Sequence, residues 1–419
     1  MRVAILNEYF YPESSGGTPT VLSQLARTLK DTHPDVEIEV ITSRNMYRTV
    51  LPAPPPRQED WDGITIQRLS TPKSNRPSLK ARFLAGVLFS VKAFFALCRR
   101  RRFDVVFVLG SPPPIPMTAL IYKRLFHVPY LYLIHDLYPD IAVALGALDN
   151  ESRTTRFTRK VQRNWIHGAA HVAVLGRCMR NYLHRVYDLP MTQVSVLPNW
   201  ADPKTVCPMA KTTPFRQQHG LDGFVVLYAG NLGAYNSLGQ ILDAARDLKA
   251  QHADVTFVII GDGTEKAAIA KRIADEQLTN VRQFPAVPLS QMNEILASAD
   301  VAIVPLDERL CGLGVPSKTY TALASGRPII AIAAAESELS MVAQEEQCGL
   351  VVPPTDHAAL AAAILQLQRD PAAASAMGQC ARQAIEERYT VQHITERCYT
   401  LLRDIADKGV TRPVEGNQV

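Results

Sequence analysis

Leu310-Cys311-Gly312-Leu313-Gly314-Val315-Pro316-Ser317-Lys318-Thr319-Tyr320-Thr321-Ala322-Leu323-Ala324-Ser325-Gly326-Arg327-Pro328-Ile329-Ile330 reads as a glycine-rich loop, a short helix, a turn and the start of a buried strand. Gly312 and Gly314 let the chain turn tightly before the helix, and Gly326-Arg327-Pro328 ends it. With Leu313 between the glycines and Ser317 and Lys318 in the first turn, the run offers amides, a hydroxyl and a cation to one anionic group. A lysine at a helix N-terminus opposes the dipole, and an anionic ligand relieves that conflict. A purely structural glycine turn is the competing reading.

Upstream of this run the same alternation repeats. Strands are expected at Phe224–Ala229, Thr256–Ile260, Val281–Phe284 and Val301–Val304, with helices over about Leu238–Ala250, Lys266–Glu276 and Met292–Ala297. The first half follows the same plan: strands Val3–Asn7, Glu37–Thr42, Val105–Leu109 and Tyr130–Ile134, with helices over about Thr18–Lys30, Leu79–Arg102 and from about Met117. Apolar strands separated by helices imply parallel sheets covered on both faces. Pro52–Pro56 and Pro112–Pro116 read as loops. The break near Leu197-Pro198-Asn199-Trp200-Ala201-Asp202-Pro203, followed by a polar stretch to Gly223, is the candidate boundary. The expectation is one α/β domain over residues 1–203 and a second over 204–389, with a helix at about 390–419 crossing back to the first. Ligands of such sheets bind beyond the carboxyl ends of the strands, which makes the region between two facing sheets the natural site.

Length and composition agree with two soluble domains: 419 residues, 47% hydrophobic and 20% charged. The seven cysteines are odd in number, scattered and free of Cys-x-x-Cys spacing, so reduced thiols in a cytoplasmic setting are expected. A formal charge of +5 is mild, but Leu79–Arg102 concentrates it. There Phe83, Val87, Val91, Phe94 and Cys98 share a helical face ahead of four arginines, while Lys80, Arg82 and Lys92 make the segment a poor membrane span. Two readings stand side by side: a helix packed on the sheet, and peripheral contact with an anionic membrane or lipid-linked substrate. No nucleic-acid reading motif accompanies the basic residues.

Other candidates sit where strands end. Ser14-Ser15-Gly16-Gly17-Thr18 follows the first strand and offers amides at a helix start, though a plain tight turn explains it too. His135-Asp136-Leu137-Tyr138-Pro139-Asp140 follows a buried strand and places His135 and Asp136 on the functional edge; helix capping by Asp136 or Asp140 is the alternative. Gly230-Asn231-Leu232-Gly233 and Gly261-Asp262-Gly263 put glycine beside a ligand bound through backbone, or merely turn the chain off a strand.

In this order the motifs make the chain similar, over nearly its whole length, to the retaining family 4 glycosyltransferases, and most to bacterial enzymes of O-antigen, capsule and colanic acid assembly. Ser111-Pro112-Pro113-Pro114, Pro198-Asn199-Trp200 and Pro316-Ser317-Lys318 through Gly326-Arg327-Pro328 add to the likeness. The resemblance implies a GT-B fold, two Rossmann-like domains facing across a deep cleft, with the nucleotide sugar on the second domain and the acceptor on the first. It implies a UDP-linked donor as substrate, no cofactor and no metal, and a lipid-linked or saccharide acceptor. It places His135 near the donor sugar, with Asp136 beside it. Gly16, Gly17 and Thr18 fall near the diphosphate. Gly230, Asn231, Gly261, Asp262, Gly263 and the Gly312–Lys318 loop fall against phosphate and ribose. Where many relatives carry Glu-x7-Glu, this chain has Leu313 and Thr321, so a ribose-binding carboxylate is missing. Asn231 and Asn236 stand near the places of two basic residues, which leaves Lys318 as the cation expected to meet the diphosphate. Asp307 and Glu308 are candidates for sugar hydroxyls or plain solvated loop carboxylates.

Charge grows on the leaving phosphate as the glycosyl bond breaks, so fixed amides and a lysine are the expected source of catalysis. No carboxylate pair is arranged for double displacement, and front-face attack is what the resemblance implies. Two alternatives remain open at this stage: a nucleotide-sugar 2-epimerase, and a degenerate transferase that binds nucleotide sugar as a partner subunit.

Overall fold

The computed structural model describes residues 1–13, 17–46, 49, 51, 53–72, 79–99, 102–233, 236 and 238–410. These form two compact units, Met1–Pro198 with the segment from Val391, and Asn199–Thr390. The division falls ahead of the expected Pro203 because Ala201 and Val206 are buried in the second unit's core. The Ala201 amide also donates to the Tyr389 carbonyl (3.1 Å).

The first unit runs β1 (Arg2–Leu6), α1 (Thr18–Thr32), β2 (Glu37–Ser43), β3 (Gln58–Trp61), β4 (Ile64–Leu69), α2 (Leu79–Cys98), β5 (Val105–Leu109), α3 (Ile115–Phe126), β6 (Tyr130–Ile134), α4 (Asp140–Ala144), α5 (Arg153–Gly168), β7 (His171–Val174), α6 (Arg177–Tyr187) and β8 (Val194–Val196). Its sheet has the order β3-β4-β2-β1-β5-β6-β7-β8. All pairings are parallel except the edge pair β3–β4, whose turn is closed by Asp62 and Gly63 at positive φ. Sequence reading did not anticipate that hairpin, which departs from the expected wholly parallel sheet. The helix expected from Met117 begins at Ile115, with Pro116 in its first turn, where a missing N–H costs nothing.

The second unit runs α7 (Pro214–Gln218), β9 (Phe224–Ala229), α8 (Leu238–Ala250), β10 (Val255–Ile260), α9 (Lys266–Asp275), β11 (Val281–Phe284), α10 (Leu289–Ala297), β12 (Val301–Pro305), α11 (Lys318–Ala324), β13 (Ile329–Ile332), α12 (Glu338–Glu345), β14 (Gly349–Val352), α13 (His357–Arg369) and α14 (Pro371–Arg388). Its sheet is parallel, in the order β11-β10-β9-β12-β13-β14. Because side chains alternate along a strand, β9 sends Val225 and Leu227 into one buried cluster with α10, α11 and α12. Val226 and Tyr228 go into the other, with α8, α9 and α13.

The last helix among the described residues, α15 (Val391–Val410), belongs to the first unit. It packs on α1, β5 and β6, burying Ile394, Cys398, Leu402 and Ile405. His33, just past the end of α1, stacks on Tyr399 and bonds Glu396 at 2.9 Å.

Candidate active site

Each sheet reverses direction once. In the second unit β9 leads leftward to β10 and β11, and the chain then returns to place β12 on the other side of β9. The loops leaving β9 and β12 diverge there, and such a switch point is where open α/β sheets bind ligands. The β9 loop supplies Gly230 and Asn231, and the segment after β12 supplies Lys318. The Lys318 ammonium donates to the Tyr228 hydroxyl (3.1 Å) and to Asn236 Oδ1 (3.4 Å), and sits 4.4 Å from the Tyr228 ring centroid. The Tyr228 hydroxyl in turn donates to the Asn231 carbonyl (2.6 Å), which also accepts from Asn236 Nδ2 (2.8 Å). A side-chain Cβ at Gly230 would stand 3.4 Å from both Lys318 Nζ and the Tyr228 hydroxyl.

Lys318 has no carboxylate partner among the described residues. Burial therefore weighs on its charge unopposed and lowers its pKa to about 7. A cation held by an aromatic face and neutral oxygens, next to a glycine turn at the switch point, is a site suited to an anion. Tyr228 was missed in the sequence; its signal was a tyrosine near the end of a buried strand, whose hydroxyl needs a partner there.

The remaining second-unit candidates divide. Gly261 is required by packing: a Cβ there would lie 1.8 Å from the Gly230 carbonyl oxygen, and one at Gly263 would lie 2.3 Å from that of Leu232. These glycines let the β9 and β10 turns pack directly against each other. Asp262 pairs with Lys266 and accepts from the Ala286 amide (3.2 Å). Gly312 and Leu313 are tucked inside, with Leu313 buried and its amide bonded to the Leu310 carbonyl (3.0 Å). The Thr319 and Tyr320 amides are already bonded to the carbonyls of Pro316 and Ser317, both at 3.2 Å. Ser317 is exposed at the helix start and makes no capping bond. Gly314 and Thr321 are half-buried. Asp307 caps a one-turn helix through the Arg309 amide (3.0 Å) and pairs with the Arg309 guanidinium (2.7 Å), which lowers its pKa. Its carboxylate is thus held by Arg309 in this structure, while Glu308 is exposed.

In the first unit the switch point lies between β1 and β5. The β1 loop ends at Gly17, which takes φ 70° just before α1, and the Glu8 amide ties it to the Ser111 carbonyl of the β5 loop (2.8 Å). Thr18 Oγ1 lies 3.2 Å from His135 Nδ1, at the carboxyl end of β6. Desolvation lowers the His135 pKa to about 4, so its imidazole is neutral at physiological pH. Asp136 keeps an exposed surface; surrounding protein raises its carboxyl, an effect moderated by the water that reaches it. Gly16 lies outside the described residues, as do Ser14 and Ser15. Asp140 does not cap α4 with its side chain: it is buried and bonds Arg159 (2.8 Å), Tyr182 (3.1 Å) and Tyr187 (2.5 Å), tying α4 to α5 and α6.

A cavity of about 470 Å³ at the opposite, amino end of the second sheet includes Phe224, Asp300 and Arg327 in its lining. Its charges are engaged: Asp300 pairs with Lys211 and Arg216, and Arg327 donates to the carbonyls of Met209 and Ala297. Among the described residues no group of His, Cys, Asp or Glu is placed to hold a metal ion.

Comparison with known proteins gives this geometry a family. Residues 16–200 match the description "Glycosyl transferase 4-like domain" and residues 223–370 match "Glycosyl transferases group 1". WbjE of Pseudomonas aeruginosa, named a probable glycosyltransferase, is 32% identical over 326 residues, 76% of this chain and 79% of the relative. The chain belongs to the family 4 glycosyltransferases. WcaI of Escherichia coli K12, named for colanic acid biosynthesis, is 25% identical over 72% of this transferase and 76% of its own length. Among solved structures, Anabaena HepE in complex with UDP and glucose has a TM-score of 0.72 at 16% identity, covering 96% of this chain and all of that one; it shows the GT-B fold. These likenesses support neither the epimerase nor the degenerate alternative.

Proposed function

We propose that this transferase moves a sugar from a UDP-linked donor, with retention and without a metal, to a lipid-linked saccharide on the cytoplasmic face of a bacterial membrane. The observation that carries the donor part is Lys318, a cation with no carboxylate partner among the described residues, at the β9/β12 switch point beside Gly230. As the glycosyl bond breaks, negative charge gathers on the diphosphate, and a fixed ammonium there lowers the barrier without a metal. HepE is described with UDP and glucose, which favours uridine as the base. Neutral His135, oriented by Thr18, is suited to accept or donate a hydrogen bond to a sugar hydroxyl. The acceptor hydroxyl attacks from the side the diphosphate leaves, and the leaving phosphate takes its proton.

The membrane part is supported by α2. Its Ala81–Cys98 stretch passes a span test by length and composition, yet Ala85, Phe89, Ala93 and Leu97 are buried in the fold. The opposite stripe, Phe83, Leu84, Leu88, Val91 and Phe95, is exposed. Both expected roles of this helix thus have residues of their own. Leu79 and Lys80 are described in backbone only, and Arg100 and Arg101 lie outside the described residues.

Thermal shift against a panel of nucleoside diphosphates, with and without EDTA, tests the donor site. Stabilisation by UDP that survives EDTA and disappears in Lys318→Ala is expected. A UDP shift unchanged in that variant removes Lys318 from the site, and one abolished by EDTA removes metal independence.

A further inference from the structure

The four crossovers β4-α2-β5, β5-α3-β6, β6-α5-β7 and β7-α6-β8 all step the same way across the first sheet. Right-handed connections therefore stack α2, α3, α5 and α6 on one face, while α1 steps the other way and shares the opposite face with α15. In a chain with 40 acidic residues, none of these four helices contains an aspartate or glutamate, and each contains lysines or arginines. The opposite layer differs: α15 carries Glu396, Asp404 and Asp407, and α1 carries Asp31.

Exposed apolar side chains are gathered on the same layer. Most large apolar side chains exposed among the described residues lie here: the α2 stripe, Leu125 and Phe126 at the end of α3, and Phe157 on α5, which is 67% exposed. On α5, Thr155, Gln162 and Ile166 face inward. Arg153, Phe157 and Lys160 point the opposite way with Arg156 beside them, all exposed. Arg159 and Arg163 are held by Asp140 and Asp188, whereas Arg153, Arg156 and Lys160 form no ion pair among the described residues. Phe157 thus stands within a cationic cluster, one helix beyond α3.

We infer that the outward face of this whole layer docks on an anionic bilayer, with α2 as the apolar anchor and the Arg153-Arg156-Phe157-Lys160 cluster of α5 as a second anchor. The inference rests on the membrane reading above and extends it to a surface that the sequence around Leu79–Arg102 did not indicate. Cations placed around exposed aromatic and aliphatic side chains match a lipid interface, where phosphates lie at the surface and acyl chains just beneath. The absence of carboxylates from the four helices lessens the repulsion such a face would meet; of the flanking acids, Asp188 is paired with Arg163, and Asp149 and Glu151 precede α5. Two anchors on separate helices fix the angle at which the unit meets the bilayer, which one helix alone leaves free.

Flotation of the full chain with phosphatidylcholine vesicles, with and without phosphatidylglycerol, tests this. The variants are Arg153→Gln/Arg156→Gln/Lys160→Gln with Phe157→Ala on α5, and Leu88→Gln/Phe95→Gln on α2. Each near-surface cation contributes about 1 kcal/mol, so the α5 variant is expected to bind phosphatidylglycerol vesicles on the order of a hundred-fold more weakly than the wild type. Its UDP thermal shift should not change, since every substituted side chain is exposed. If the α5 variant floats like the wild type while the α2 variant does not, the second anchor is refuted and the α2 reading stands. A wild type that ignores phosphatidylglycerol vesicles refutes both, leaving the donor site untouched.

Discussion

Lys318 shows how far a single residue's surroundings alter what its type implies. As a lysine at the start of a short helix it was legible in the sequence as the cation for a phosphate. Its support was not legible, because Tyr228 and Asn236 are far from it along the chain and meet it only at the switch point. With its pKa lowered to about 7, the free site loses its charge as pH rises through neutrality. The ammonium is the form that binds a diphosphate, so UDP affinity should be highest below pH 7 and fall by up to about ten-fold per unit above it. Isothermal titration between pH 6 and pH 9 checks this, and Lys318→Arg should flatten the profile, because guanidinium does not titrate there. Gly261 and Gly263 carry the opposite lesson. Their motif suggested phosphate binding; what the distances to Gly230 and Leu232 add is a packing requirement, since no side chain fits between the two turns.

Among the elements, α4, α5 and α6 depend on one buried carboxylate. Asp140 receives the Arg159 guanidinium and the hydroxyls of Tyr182 and Tyr187, and burial and the Asp140 charge raise the pKa of both tyrosines. Asp140→Ala would leave those donors without an acceptor, and about 3–5 kcal/mol of stability should be lost in urea unfolding. Asp140→Asn keeps an acceptor and should lose less. The sequence suggested a cap at this position because an aspartate opens a helix; only the packing of three helices reveals a junction. The same element scale explains α2, which lacks the broad polar face of an ordinary surface helix because its buried side is apolar and its exposed side is apolar apart from Arg82 and Lys92.

At the scale of the whole chain, the first unit is completed by its last helix. Ile394, Cys398, Leu402 and Ile405 of α15 are buried in it, and a chain ending at Tyr389 would expose their partners on α1, β5 and β6. At about 1.5–3 kcal/mol for each large apolar side chain, that loss approaches the stability of a domain. Calorimetry of the truncated chain should show one transition lost or strongly lowered and a second retained for Asn199–Thr390. Sequence alone determined the α/β class, the pairing of two such units, the strands that carry the site motifs and the family to which they belong. It did so because apolar strands, helix periods and glycine turns are local signals written within a few residues of one another. Tertiary structure alone decided that Tyr228 and Asn236 support Lys318, that two glycines serve packing and that Asp307 is taken by Arg309. It also decided that four acid-free helices share one face. Apart from the Asp307–Arg309 pair, which closes within one turn, each of these depends on strand order and crossover hand, which bring distant residues together and are not encoded in any single stretch of chain.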